Sequence, residues 1–425
     1  MPNAYAIRTI VFESGERFPT LVSRASGVPL FDPVVYSISE LRGRNRASST
    51  IDQAIRAVMV LQIFLDLHEI NLDLRIAEGT VLSLAEIEAL VRLCGLPLDA
   101  IHNLPSVLVP TSEVKPQRVV SLEKHRKRAQ PLAEVNPQTK SIRVFYIKDY
   151  LRWYVLDRAL RMDTDAASFT RLVASGNVMS AALSARAIAV SAHTTIDVRE
   201  GLDPAVVTRL LEVIELNACD NPWRGEHARI RNQLSILLLY YLGIRRGELL
   251  GLKISDINFR TNEILIARRA DDPSDPRRHQ PNAKTNDRVL AVDEALMECI
   301  RRYVLGKRRE LAGARRHEFL LVANGSGAPL TLGALNKTFV ALRTRCRGLT
   351  KDLSPHVLRH TWNDDFSDLM DRQKIPETKE HKMRAYQMGW SPTSQTAATY
   401  TKRHVRKKAA AASLALQKNL RQKST

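Results

Sequence analysis

Residues Ile230 to Tyr241 read as one nearly continuous apolar helix, and a helix that is apolar nearly all round has to be buried. It therefore belongs at the centre of a domain, with other elements packed about it. Its most apolar part, Leu234 to Ile244, is about half the length that a bilayer span needs, so no membrane is expected. The helix runs straight into Gly243-Ile-Arg-Arg-Gly-Glu-Leu-Leu-Gly-Leu252, which sets cationic side chains against the end of a buried element.

Composition narrows the partner. The 425 residues allow two or three domains, and 44% hydrophobic with 26% charged residues is a globular balance. The formal charge of +19, with a pI near 10.0, favours a polyanion. Nucleic acid comes before an anionic membrane, because no amphipathic anchor stands out. Ribosomal and RNA-binding proteins share such a charge, so it sets a class only. Cys94, Cys219, Cys299 and Cys346 are scattered, without the paired spacing of a zinc site or a disulfide framework. With no secretory leader pattern, a reducing cytoplasm is expected, with the protein associated with the nucleoid.

Taken in order, residues 1–45 read as a strand and loop segment. Ala6 to Phe12 and Phe18 to Val22 flank Gly15, which suits a hairpin turn. The segment is either a DNA-contacting arm or a strand pair covering a neighbouring helix. Residues 46–198 read as a helical domain. Ser49 or Thr50 caps a helix carrying Ile51, Ile55, Val58, Leu61 and Leu65, and a second helix enters at Ser83 and runs from Leu84 to Leu93. Prolines 105, 110, 116, 131 and 137 mark an irregular connection over 105–137. It contains Lys124, His125, Arg126, Lys127 and Arg128, a solvated surface run or a DNA contact. A third helix spans Lys140 to Leu160, and its aromatic residues are read as packing more than as base-stacking groups. Residues 182–200 are small, polar and weakly patterned. Asp203 with Pro204 then starts the helices of a second domain, 199–403. Asn262 to Ala267 and Arg288 to Val292 are strand candidates, and helices follow at Asp293 to Arg309 and Leu332 to Arg345. The fold class expected is mainly α with a small β-sheet in the second domain (α+β).

The string Ser354-Pro-His-Val-Leu-Arg-His-Thr-Trp362 sets His356 and Arg359 on one face of a helical turn. A guanidinium fork beside an imidazole suits a phosphate that is gripped and then supplied with protons. Together with it, Gly243-Ile-Arg-Arg-Gly-Glu-Leu249, Ala283-Lys-Thr-Asn-Asp-Arg288, Met388-Gly-Trp390 and Thr396-Ala-Ala-Thr-Tyr400 resemble, in order, the motifs of the tyrosine recombinase (phage integrase) family. The resemblance implies a two-domain clamp on duplex DNA, with a helical core-binding domain and a catalytic domain. It implies catalytic roles for Arg245, Lys284, His356, Arg359 and Trp390, with Tyr400 as nucleophile and Glu248 and His360 in support. The motifs span residues 243–400; over residues 50–195 the likeness is only one of helical shape and position, and the resemblance does not extend to residues 1–45. Two departures stand out. The interval from Trp390 to Tyr400 is one residue longer than usual, and the stretch from His360 to Gly389 is expanded around Lys374 to Lys382.

The residue types fit the chemistry. Two arginines can bind phosphate oxygens bidentately and stabilise the charge that builds as phosphorus is attacked. About one free tyrosine in a thousand is ionised at pH 7, and a cationic pocket raises that fraction. Lys284 is the candidate acid for the leaving hydroxyl. Each residue also has an ordinary alternative: Arg245 as the structural partner of Glu248, Lys284 as an exposed loop lysine, Trp390 as core, Tyr400 as a buried tyrosine. No cofactor and no metal are expected, since neither an Asp/Glu cluster nor a Gly-rich phosphate loop is evident. Residues 404–425 form a basic helix with Val405, Ala409, Ala412, Leu416 and Leu420 in one stripe, a subunit-docking element or a helix packed on its own domain. The expected reaction is site-specific DNA recombination through a 3′-phosphotyrosyl intermediate, by a DNA-bound tetramer and with accessory DNA-bending or directionality proteins as candidate partners. An integrase of a mobile element, a Xer-like resolvase of DNA multimers and a catalytically inactive DNA-binding architectural protein are the alternatives.

Overall fold

A computed structural model describes residues 4–104, 134–161, 166–187, 201–281, 285–391 and 402–423. The described chain is mainly helical with two small antiparallel sheets, an α+β architecture. It divides into two compact units, residues 1–12 with 17–193 and residues 13–16 with 194–425. The basic run Lys124, Arg126, Lys127 and Arg128 lies outside the described residues.

In the first unit, β1 (Tyr5–Val11) and β2 (Arg17–Ser23) pair from Tyr5 with Ser23 to Val11 with Arg17. Leu21 of β2 is buried in the same core as α1 (Ser48–Leu67), so the strand pair covers a helix. Ile51, Ile55, Val58, Leu61 and Leu65 form the inner stripe of α1, and all are buried. Its start differs from expectation: Ala47 occupies the N-cap and no side chain caps it, so neither Ser49 nor Thr50 does so. In α2 (Leu84–Cys94) the Ser83 hydroxyl accepts the Glu86 N–H, and Glu86 returns the bond to the Ser83 N–H. Val144, Ile147, Leu151 and Val155 of α3 (Pro137–Arg161) face the core, with Tyr150 and Tyr154 beside them. A helix not foreseen from sequence follows, α4 (Ala166–Arg186). Its small residues permit close packing rather than marking a loop. At Gly176, for example, an added Cβ would stand 3.1 Å from Val155 Cγ1 of α3.

The second unit opens with α5 (Pro204–Val213), which has Asp203 at its N-cap and Pro204 in its first turn. The apolar helix α6 (Glu226–Leu242) buries Leu234, Ile236, Leu238 and Leu239 and ends at Gly243. After the short α7 (Arg246–Gly251), strands β3 (Ile257–Asn258), β4 (Glu263–Ile266) and β5 (Arg288–Ala291) form an antiparallel sheet in that order, with Ile264 opposite Leu290. Asp293 caps α8 (Glu294–Tyr303), and the helix expected over 293–309 continues beyond it as a π-helical turn, Val304–Arg308, interrupted at Gly306 (φ −96°, ψ −112°). Thr331 caps α9 (Leu332–Arg345), and Ser354 caps α10 (Pro355–Arg372). The expansion around Lys374 to Lys382 is a turn, with Lys374 at φ 54°, and the first half of α11 (Glu377–Met388). The last element is α12 (Lys402–Lys423).

Candidate active site

The end of α6, the start of α7 and the first turns of α10 converge because of one glycine. Gly243 takes φ 59°, and a Cβ there would lie 2.8 Å from the Trp362 ring and 3.0 Å from Met388 Cε. Its carbonyl accepts from Arg359 Nη1 at 2.7 Å. Arg359 is 0% exposed, and its Nη2 donates to the Met388 carbonyl at 3.1 Å. That same oxygen receives Arg245 Nη1 at 3.4 Å. Two guanidinium groups from distant parts of the sequence thus point at one oxygen atom, and Arg245 remains partly open to solvent.

Beneath them sits Glu248, whose side chain is 0% exposed. Its carboxylate accepts the Arg245 main-chain N–H at 2.8 Å and stands 3.6 Å from Arg245 Nη1. It also takes Arg288 Nη2 at 2.9 Å and Nη1 at 3.3 Å, and the Thr285 hydroxyl. Burial alone would raise the Glu248 carboxyl. The Arg288 charge and hydrogen bonds, the Arg359 charge and Thr285 outweigh burial and hold it below the usual range. The Arg245–Glu248 pairing and the convergence on Met388 therefore coexist.

The turn after α11 joins these parts through its main chain. The Gln387 carbonyl accepts Arg288 Nε at 2.7 Å, the Met388 carbonyl receives both arginines, and the Gly389 carbonyl accepts the Asn286 N–H at 3.0 Å. Gly389, at φ 65°, leaves no room for a Cβ, which would meet Arg288 Nη1 at 2.7 Å. Behind the turn, Arg384 donates to the Asn363 carbonyl and Oδ1, both at 2.9 Å, to Ser367 Oγ at 2.6 Å and to Glu380. Asn363 Nδ2 in turn donates to the Arg359 carbonyl at 2.8 Å. This network ties α11 to α10 under the site.

His356 is exposed on the first turn of α10, edge-on to the buried His360 with ring centroids 4.7 Å apart. Trp390 is buried with Ala385, Met388 and Trp362, and the Arg359 guanidinium carbon lies 5.6 Å from its ring centroid. Lys284 and Tyr400 lie outside the described residues. Thr285, Asn286 and Arg288, which follow Lys284, are all tied to Glu248 or to the 387–389 turn.

Sequence reasoning missed Arg288, Thr285, Asn363 and Arg384. A signal existed for Arg288: in β5 the inward positions are 288 and 290, so a charged residue shares the buried parity of Leu290. No comparable signal marks Arg384, which sits in a strongly polar helix. Among the described residues no group of three or more His, Cys, Asp or Glu is arranged to hold a metal ion. No described helix is long and apolar enough to cross a membrane.

Residues 201–406 match the model of the phage integrase family. Among curated proteins, a tyrosine recombinase XerD of Halalkalibacterium halodurans is 25% identical over 155 residues, 36% of this chain and 46% of that protein. A tyrosine recombinase XerC of Anoxybacillus flavithermus is 29% identical over 133 residues, 31% of this chain and 39% of the relative. The matches thus span less than half the length of these relatives. Among solved structures, that of XerA recombinase is 16% identical, covering 89% of this chain and 95% of the other with a TM-score of 0.35. The Tn1549 transposon integrase in complex with circular intermediate DNA is also 16% identical, covering 66% and 77% with a TM-score of 0.39.

Proposed function

Since residues 201–406 belong to the phage integrase family of tyrosine recombinases, we propose that this chain is a site-specific DNA recombinase that cuts and rejoins duplex DNA through a 3′-phosphotyrosyl intermediate. The observation that carries the reading is the convergence of Arg245 and Arg359 on the Met388 carbonyl oxygen. A polarised oxygen already sits where two guanidinium forks meet, which is the environment a non-bridging phosphate oxygen needs.

In the proposed reaction the Tyr400 oxygen attacks phosphorus, a Tyr400–phosphorus bond forms and the bond to the 5′ oxygen breaks. Arg245 and Arg359 carry the added negative charge on the non-bridging oxygens. Lys284 gives its proton to the departing 5′ oxygen, and His356, exposed on the first turn of α10, takes the proton of Tyr400. Trp390 packs beneath Arg359 and limits its rotation. Glu248 fixes Arg245 by holding its main-chain N–H. The phosphotyrosine bond retains the energy needed for rejoining, which is the attack of a second 5′-hydroxyl on the same phosphorus.

Strand exchange would take place in a DNA-bound tetramer, with α12 docking on a neighbouring subunit. The long N-terminal half and the basic tail favour integration or excision of a mobile element over resolution of DNA multimers, and inverted repeats beside the gene would support that role. The mechanism is tested with a nicked suicide substrate: the wild type should trap a covalent DNA complex and Tyr400→Phe should not. Trapping by the Phe variant would remove Tyr400 from the reaction.

A further inference from the structure

We propose that a cationic cavity between the loop before α6, the first turns of α6 and helix α9 is a second phosphate-binding site, which grips the DNA backbone away from the reacting phosphate. The proposal rests on the DNA-recombinase reading above. The cavity has a volume of about 960 Å³, and Arg224, Arg229, Arg231, Lys337 and Arg345 all line it. Among the described residues the one carboxylate in its lining, Asp220, is taken by Arg209.

Among the described residues Arg229, Arg231 and Arg345 are held by neutral oxygens. Arg229 donates to the carbonyls of Trp223 at 3.0 Å and Leu216 at 2.9 Å, and Arg345 donates to the Pro222 carbonyl at 3.1 Å. Arg231 is buried and binds Asn232 Oδ1 and the Val322 carbonyl. Main-chain and amide oxygens orient these guanidinium groups but do not neutralise them. Arg224 and Lys337 are exposed, and among the described residues no carboxylate pairs with any of the five. Trp223, 7% exposed, adds a buried indole N–H that has no acceptor among the described residues. A wall offering donors, with its one carboxylate already engaged, selects an anion with several acceptor oxygens.

Size and position favour a polymer over a single ion. The volume is at the upper end of the range for pockets that enclose whole small molecules, far more than one phosphate fills. Along α6, Arg231 lies eleven residues before Leu242, an axial separation of about 16 Å from the candidate active site. That separation corresponds to roughly five phosphates along one strand of B-form DNA. The cavity and the arginine pair are thus spaced to hold two points of one backbone.

The test is the salt dependence of binding, measured by fluorescence anisotropy with the full chain and a mixed-sequence duplex. Arg224→Ala with Lys337→Ala removes two exposed cations that make no ion pair among the described residues, so the fold is retained. If each meets a phosphate, the slope of log K against log salt should become shallower by about 1.8. A control variant, Arg260→Ala with Arg309→Ala, removes the same charge from exposed positions outside the cavity and should change the slope less. An unchanged slope in the cavity variant, or an equal change in the control, overturns the proposal. A free polyphosphate has the same chemistry. If tripolyphosphate raises the melting temperature of the wild type but not of the cavity variant, while the DNA slopes agree, the site serves a free anion and the backbone assignment falls. Failure of covalent trapping with the slope difference intact would refute the recombinase reading alone, whereas a wild type that does not bind the duplex would overturn both.

Discussion

Replacing Arg288 by Met isolates the buried ion pair beneath the site. Both side chains of the Arg288–Glu248 pair are almost fully buried, at 1% and 0% exposure. Removing one member of such a pair destabilises a protein by about 3–5 kcal/mol, because a buried charge is left behind. Here the lower end applies, since Thr285 and the Arg245 main chain continue to bond Glu248. A loss of about 3 kcal/mol in a unit of this size lowers the melting temperature by roughly 6–12 °C. Adding Glu248→Gln should restore part of that loss, because the orphaned charge goes with it, and a double-mutant cycle reads the coupling. The sign of the pH dependence follows from the carboxyl. Glu248 is held below its ordinary value when folded, so the pair contributes stability above the unfolded pKa of about 4.3, and the contribution is lost as pH falls through the folded value. In the Met variant burial dominates, Glu248 protonates more readily, and the deficit should narrow from pH 7 to pH 5. Thermal melts of the full chain at both pH values check this. A single variant that melts within a degree or two of wild type, or a double variant that loses stability additively, would refute the reasoning.

Two further outcomes follow from the geometry. Gly243→Ala should lower the melting temperature by about 2–8 °C, from left-handed strain of about 1–2 kcal/mol, and should slow covalent trapping because the Gly243 carbonyl holds Arg359. Deleting residues 404–425 should leave the melting temperature almost unchanged, since the described side chains of α12 are exposed, yet should weaken cooperative assembly on DNA as seen by gel shift.

Much of the fold was legible because its signals are local. The Ser83 capping box, the Asp203–Pro204 start and the apolar α6 each depend on a few neighbouring residues, and the strands around Ile264 and Leu290 show the required alternation. What escaped depends on distant partners. Helix α4 looks weak by composition because its small residues matter only once α3 lies against them. Arg384 reads as one more surface charge in a polar helix until Asn363 and Ser367 of α10 fold over it. The site divides the same way: Arg245, His356 and Arg359 belong to short patterns, whereas Arg288 acquires its part only by reaching Glu248 and the Gln387 carbonyl at once.

The 387–389 turn has a consequence for mutational scanning. Three consecutive carbonyls do its work, and a carbonyl is the same atom whatever residue carries it. Substituting the half-exposed Gln387 by alanine would therefore leave its contact with Arg288 intact, and a scan would score the position as silent. Removing one residue from the turn would instead offset every carbonyl from its donor, so Gln387 should tolerate changes of identity, Gly389 should not, and the segment should reject changes of length.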